Sequence, residues 1–135
     1  MKKIYTYTLP RPFSGYNIPI AIQSLYLRSY AQKNSFLFSL PVTEIMKKDC
    51  YNMFIENFSK KKIDLTMTSI FMLPISNVTL LNKLLQNMHT KTEIHFVLEN
   101  LVLDRKKIKN WRDKFLEVAN IPDDYHKTIS DEINF

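Results

Sequence analysis

The chain has 135 residues, of which 45% are hydrophobic, and its formal net charge is +6. This length supports one domain with a core of its own and is short for two. A single cysteine excludes an internal disulfide framework and a cysteine-rich zinc site, and it favours a reducing compartment. No apolar run approaches the roughly 20 residues that span a bilayer, and the start, MKKIYTYTL, is too polar for a signal peptide. We therefore expect a cytoplasmic protein without a membrane span.

Four short segments rich in aromatic and β-branched residues predict β-strands. They are KIYTYTL at 3–9, FLFSL at 36–40, IDLTMTSIF at 63–71 and EIHFVL at 93–98. Between and after them, apolar residues recur at helical spacing, which predicts four helices. These stripes are Ile22, Leu25, Tyr26 and Tyr30; Met53, Phe54 and Phe58; Leu81, Leu84, Leu85 and Met88; and Ile108, Trp111, Phe115 and Ala119. Pro19 should lie in the first turn of the first helix, and the expected N-caps of the others are Asp49, Ser76 and Asp104.

Strict alternation of strands and helices predicts right-handed crossovers and a mostly parallel sheet covered on both faces. The expected fold class is therefore α/β, as a three-layer αβα sandwich with a mostly parallel four-stranded sheet of the flavodoxin or Rossmann type. Residues 63–71 should form the central strand. The expected core consists of Ile4, Leu25, Phe38, Leu65, Met67, Leu81, Leu85 and Phe96.

The chain shows no linker composition, so we expect residues 1–120 to form a single α/β domain. Residues 121–135, IPDDYHKTISDEINF, are the one segment expected to lie outside this body. Their apolar residues Tyr125, Ile129 and Ile133 recur at helical spacing. That spacing predicts a short docking helix in the C-terminal tail.

The stretch LPRPFSGYNIP at 9–19 follows the first strand and holds the only glycine, three of the six prolines and Arg11. In open parallel sheets, ligands bind beyond the carboxyl ends of the strands. This rule brings residues of several loops to one rim: Arg11, Ser14, Glu44, Cys50, Tyr51, Met72 and Asn100. One interpretation is a pocket at this rim, and the other is a long turn with Arg11 pointing to water.

The chemistry of this rim stays open at the level of the sequence. The glycine patterns of dinucleotide and P-loop sites are missing, so no cofactor is expected, and the three histidines lack the spacing of a metal site. Cys50 is a candidate nucleophile because the positive end of the second helix favours a thiolate, and a buried apolar side chain is the alternative. Glu44 is either a catalytic acid or base, or the ion-pair partner of Arg11.

The positive charge is concentrated in the first half of the chain. Residues 1–62 carry ten Lys and Arg against three Asp and Glu, whereas residues 63–135 carry nine against ten. No recognition-helix, zinc or RNA-binding signature accompanies the basic half, which argues against a nucleic-acid partner. Nine phenylalanines, seven tyrosines and six methionines are many for one small domain to bury. We therefore expect self-association into a homodimer or a larger homo-oligomer.

Several separated motifs together resemble one family of small bacterial proteins, the sporadic carbohydrate cluster protein family. They are YTLPRPFSGYNIPIAIQSLYLRSYAQKN, TEIMKKDCYNMF, SIFMLP and HFVLENLVL, and the similarity covers roughly residues 4–103. Within them, the positions that carry the family pattern are Arg11, Pro12, Phe13, Gly15, Pro19, Gln23, Arg28, Tyr30, Glu44, Cys50, Tyr51, Phe71, Met72, Leu73 and Pro74. Pro10 departs from the pattern, where we expect a serine in relatives.

The resemblance implies a place in the biosynthesis of bacterial surface carbohydrate, such as O-antigen or capsule. The resemblance does not bring an established reaction. In this setting, the residues of the rim predict an anionic or nucleotide-activated sugar as ligand, with Arg11 and Arg28 holding a carboxylate or phosphate. Ser14, Gln23, Tyr51 and Met72 complete the expected binding set, and Glu44 or Cys50 would transfer a proton in an enzyme. The alternative is a non-catalytic module that binds the same ligand or a partner of the pathway. A fainter resemblance to the catalytic domain of serine recombinases supports the fold, but the recombinase serine has no equivalent.

Overall fold

The computed structural model describes residues 1–13, 15 and 17–119. Along this part of the chain the elements are β1 (Lys2–Thr8), α1 (Ile20–Lys33), β2 (Phe36–Phe38), β3 (Val42–Thr43), α2 (Asn52–Phe58), β4 (Asp64–Met67), α3 (Val78–Asn87), β5 (Glu93–Phe96), β6 (Leu101–Asp104) and α4 (Arg105–Ala119). A short 3-10 turn, Ile70–Met72, follows β4. The tail residues Tyr125, Ile129 and Ile133, and Ser14, lie outside the described residues.

The strands form one mixed, mostly parallel sheet in the order β2-β1-β4-β5-β6, and β3 pairs with β1. Parallel pairs join β1 to β2, β3 and β4, and β4 to β5, whereas β5 and β6 form an antiparallel pair. The predicted α/β class and the central place of the strand after residue 63 are confirmed. The predicted count of four strands is wrong. β3 has only two residues, too few to show an alternating pattern, and β6 pairs antiparallel with β5, which strict alternation of strands and helices does not anticipate.

One face of the sheet carries the main apolar core. Tyr7 of β1 meets the ring of Phe54 at 5.3 Å between centroids, and Tyr5 meets Phe58 at 6.3 Å, so α2 covers this face. Leu65 of β4 lies beside Tyr5 in the sheet and belongs to the same cluster. Side chains of α3 and α4 complete this cluster, which includes Leu81, Leu84, Leu85 and Ile108. We call this side of the sheet the apolar face.

The opposite face is polar, and we call it the threonine face. Thr6, Thr66 and His95 lie side by side in neighbouring strands, so their side chains share this face. The Tyr30 hydroxyl of α1 lies 2.6 Å from His95 Nδ1, which shows that α1 packs here. The His95 Nε2 atom is 3.4 Å from Asp64 Oδ1, and Lys2 Nζ is 2.7 Å from Asp64 Oδ2. Hydrogen bonds and one ion pair therefore organise this face.

The predicted core is correct on the apolar face and wrong at two positions elsewhere. Leu25 is 61% exposed, and Phe38 is only partly buried. In α1 the buried residues are Gln23, Leu27 and Ala31, so the helix is turned relative to its apolar stripe. The small and polar side chains of this helix fit the threonine face, while Ile22, Leu25 and Tyr26 remain exposed.

Two of the three predicted helix caps are replaced by other residues. Asp104 caps α4 as predicted, because its Oδ1 atom accepts from Lys107 N at 2.9 Å. For α3 the cap is Asn77 rather than Ser76, with Leu80 N as the donor at 3.2 Å. Asp49 does not cap α2, whose first residue follows Tyr51. The cap of α2 is Glu44, whose carboxylate accepts from Met53 N and Phe54 N.

Candidate functional site

A cavity of about 270 Å³ lies where the chain leaves β1 and β4. Both strands end at this edge of the sheet, α1 follows β1 on the threonine face, and α2 and α3 cover the apolar face. The edge between two such strands is where ligands bind in open parallel sheets. The lining includes Arg11, Phe13, Lys48, Asp49, Tyr51, Phe71, Met72, Pro74 and Ser76. The structure thus brings together Arg11, Tyr51 and Met72 of the predicted site.

Arg11 lines this cavity and also holds the loop between β3 and α2. Its Nη1 group donates to the carbonyls of Ile45 at 3.3 Å and Lys47 at 2.9 Å, and Nη2 donates to Cys50 O at 2.9 Å. The guanidinium lies 4.9 Å from the centroid of the Tyr51 ring. A guanidinium carries five N–H donors in a planar fork, a geometry that can also bind a carboxylate or a phosphate.

Glu44 is a buried carboxylate with several donors. Its Oε1 atom accepts from the Tyr7 hydroxyl at 2.9 Å and from Phe54 N at 3.1 Å. Its Oε2 atom accepts from Ile45 N at 2.9 Å and from Met53 N at 3.1 Å. Glu44 therefore caps α2 across the intervening loop, and no salt bridge joins it to Arg11 among the described residues. Burial and the adjacent Glu44 carboxylate hold the pKa of Tyr7 far above its ordinary value, so Tyr7 stays a donor.

Cys50 and Tyr51 connect Glu44 to the cavity. Cys50 is buried, and its thiol donates to Glu44 Oε2 at 3.9 Å. The Tyr51 hydroxyl donates to Met72 O at 2.7 Å. Burial raises the pKa of Tyr51, and the neighbouring Arg11 guanidinium opposes that rise. Tyr51 thus ties the start of α2 to the turn after β4, and its ring forms part of the cavity wall.

The other predicted site residues have different surroundings. Gln23 is fully buried, accepts from Leu9 N at 3.0 Å, and donates to Leu9 O and Ile18 O at 2.8 Å each, so it closes the loop from both ends. Arg28 lies 5.1 Å from the Phe38 ring centroid and does not line the cavity. Asn100 lies between β5 and β6 with φ of 54°, away from the lining.

Sequence reasoning missed three charged residues at this edge: Lys48 and Asp49, which line the cavity, and Glu99. Lys48 is exposed and lines the cavity, and its place in a lysine pair gave no signal to separate it from Lys47. Glu99 accepts from Ser69 Oγ at 2.9 Å and from Ile70 N at 2.6 Å, so it holds the turn after β4. Burial raises the pKa of Glu99, and these hydrogen bonds lower it. The position of Glu99 just after β5 was the available signal.

Comparisons with protein-family models, with curated proteins and with solved structures found no match for this chain. The resemblance to the sporadic carbohydrate cluster protein family therefore stays a prediction from sequence motifs. Within the described residues, no helix is long and apolar enough to cross a membrane. The fold and the cavity define a small α/β protein with a cavity at the carboxyl edge of its sheet, lined by Arg11, Lys48, Asp49 and aromatic rings.

Proposed function

We propose that this protein binds an anionic or nucleotide-activated sugar in the cytoplasm, in the biosynthesis of bacterial surface carbohydrate. The observation that carries the proposal is the cavity at the carboxyl edge, which combines Arg11 and Lys48 with aromatic rings. Arg11 lines this cavity, and the planar fork of a guanidinium is suited to a carboxylate or a phosphate. Tyr51 and Phe71 offer apolar surface beside that anion. The motif resemblance supports the carbohydrate setting.

The size of the cavity favours a small ligand. At about 270 Å³ it lies just below the range of about 300–1,000 Å³ that is typical of small-molecule sites. One acidic sugar or sugar phosphate fits this space better than a complete nucleotide sugar. We therefore place an acidic monosaccharide or a sugar phosphate first, and a nucleotide-activated sugar second, with its nucleotide outside the cavity.

The contacts of Glu44 and Cys50 favour a protein that binds its ligand without catalysis. The Glu44 carboxylate already accepts four nitrogen or oxygen donors, and neither Glu44 nor Cys50 lines the cavity. The enzyme alternative rests on one contact, the Cys50 thiol beside the Glu44 carboxylate, which pairs a nucleophile with a base. That pair would need the loop between β3 and α2 to open before a substrate could reach it.

We also propose that the fold has three layers and that the protein forms a homo-oligomer. The placement of α1 opposite α2 and α3 supports a three-layer, flavodoxin-like sandwich with added short strands. The exposed residues Ile22, Leu25 and Tyr26 on α1 support a homo-oligomer in which this helix is covered. Sedimentation of the parent protein, compared with a Leu25→Asp variant, tests this association. A parent that is monomeric at micromolar concentration contradicts it.

The binding proposal is tested by thermal shift with glucuronic acid, glucose 1-phosphate and UDP-glucose. A ligand at 100 times its Kd should stabilise the folded protein by about 2.7 kcal/mol. Lys48→Glu should weaken binding roughly tenfold, or about 1.4 kcal/mol, and leave the ligand-free melting temperature almost unchanged because Lys48 is exposed. Lys47→Glu is the matched control, since its side chain does not line the cavity.

Arginine variants separate binding from structural support. Arg11→Ala should lower the ligand-free melting temperature by several degrees, because three main-chain carbonyls lose a charged donor. It should also remove the shift caused by the ligand, whereas Arg28→Ala should keep that shift. The proposal is wrong if none of the three ligands stabilises the parent at millimolar concentration, or if Lys47→Glu weakens binding as much as Lys48→Glu.

A further inference from the structure

Another concave surface lies at the side of the sheet, beside the edge strand β2. Its volume is about 560 Å³, and we call it the edge groove. The residues that line it are Lys3, Tyr5, Leu37, Phe38, Ser39, Leu40, Val42, Asn57, Phe58 and Lys61. Tyr5 and Phe58 are in edge-to-face contact, which places the groove on the apolar face, next to α2. None of its residues lines the cavity at the carboxyl edge.

The groove combines exposed apolar side chains with positive charge. Leu40 is 86% exposed and Leu37 is 54% exposed, although a leucine gains stability when it is buried. Lys3 and Lys61 line the groove, and Lys60 and Lys62 flank Lys61 in sequence. Among the residues that line the groove, none is acidic. A matching occupant should therefore be apolar and negatively charged, and long enough to cover both leucines.

The chain contains one segment with this composition. Residues 121–135, IPDDYHKTISDEINF, carry four acidic residues against one lysine. The same segment contains the apolar residues Ile121, Tyr125, Ile129, Ile133 and Phe135. We propose that residues 121–135 of the same chain dock in the edge groove, with their apolar side chains over Leu37 and Leu40 and their carboxylates near Lys3 and Lys61.

The length of the segment allows docking within one molecule. The strands β2 and β6 are separated by four strand spacings, which is about 19 Å across the sheet. The helix α4 begins at the end of β6, and residues 120–135 after it can extend to about 53 Å. A tethered segment that reaches its site has an effective concentration in the millimolar range. A weak apolar and charged contact is therefore enough to keep it docked within its own chain.

Disulfide formation in the full-length chain tests the docking directly. In the double variant with Leu40→Cys and Ile129→Cys, we expect a disulfide within one molecule under mild oxidation, detected by non-reducing gel and peptide mass spectrometry. The matched control pairs Ile129→Cys with Leu98→Cys, because Leu98 is also exposed but lies between β5 and β6. That control should form the bond at least tenfold more slowly, since a random encounter lacks the docked geometry.

Charge variants supply the second measurement. Lys61→Glu in the Leu40→Cys, Ile129→Cys background should slow disulfide formation, and additional Asp131→Lys and Glu132→Lys changes should restore it in part. Lys109 lies in α4, beside α3, and does not line the edge groove. Lys109→Glu should therefore leave the rate of disulfide formation unchanged. Equal rates for the Leu40 and Leu98 pairs, or a disulfide that forms only between two copies, would overturn the proposal.

Discussion

The two faces of the central strands differ in how they are stabilised. On the apolar face, aromatic and aliphatic side chains of β1 and β4 pack against α2 and α3. On the threonine face, the same strands present Thr6, Thr66 and Thr68, and α1 meets them with Gln23 and Tyr30 as well as Leu27. Successive side chains of one strand point to opposite faces of the sheet, so neighbouring residues in the sequence lie in different environments. It teaches that a strand with mixed apolar and polar residues can still be buried on both faces.

Removing an aromatic ring from the apolar face should have the largest effect. Phe54 is 1% exposed and contacts both Tyr7 and Phe58. Phe54→Ala should therefore lower the free energy of unfolding by about 3–5 kcal/mol, measured by urea denaturation. Leu25→Ala, on the exposed side of α1, should change it by no more than about 0.5 kcal/mol. A comparable loss in both variants would show that the packing of α1 is assigned to the wrong side.

A change at Gln23 tests how much hydrogen bonds stabilise the threonine face, for comparison with the packing that stabilises the apolar face. Gln23→Ala should lower the free energy of unfolding by about 2–4 kcal/mol, because the groups on Leu9 and Ile18 lose buried partners. Gln23→Glu keeps the acceptor for Leu9 N but loses the donor for both carbonyls. It should therefore be more stable in acid, where its carboxyl can donate. Gln32→Ala on the same helix is exposed and serves as the control.

Two threonines on β4 and just after it should respond in opposite directions. Thr66 Oγ1 donates to His95 O at 3.0 Å, so Thr66→Val should lower the free energy of unfolding by about 1 kcal/mol. Thr68 Oγ1 is buried without a hydrogen-bond partner in the described part of the chain. Thr68→Val should therefore raise stability by about 1 kcal/mol in calorimetry. If both valine variants are destabilised equally, Thr68 has a partner in solution.

The smallest expected effect is a pH dependence at Glu99. Its pKa is raised above 4.5 by burial, so the folded state binds the proton more tightly than the unfolded state does. The contribution of Glu99 to stability is therefore greatest below pH 4.5 and is lost as the pH rises through the folded pKa. The stability of the parent relative to Glu99→Gln should fall over this range in urea denaturation. Ser69→Ala should steepen this fall, because it removes a hydrogen bond that favours the carboxylate. A pH-independent difference contradicts the assignment.

The candidate site was partly predictable from sequence because it follows from topology. Parallel strands end at the same edge, so Arg11, Tyr51 and Met72 converge there once the order of elements is known. The role of Glu44 was not predictable, because its donors come from β1 and from the first turn of α2. The three carbonyl acceptors of Arg11 belong to a loop about 35 residues further along, and sequence spacing contains no record of that contact.

The sequence by itself determined the α/β class, the positions of β1, β2, β4 and β5, and most of the apolar core, since these follow from local composition and periodicity. Only the tertiary structure decided the orientation of α1, the added strands β3 and β6, and the cap that Glu44 provides for α2. The reason is physical. Burial of an apolar stripe is favourable against any apolar surface, because the hydrophobic effect has no direction. A buried polar group, in contrast, needs a hydrogen-bond partner at a defined distance and angle. Partners of that kind are brought together by the fold, and their separation along the chain does not predict them.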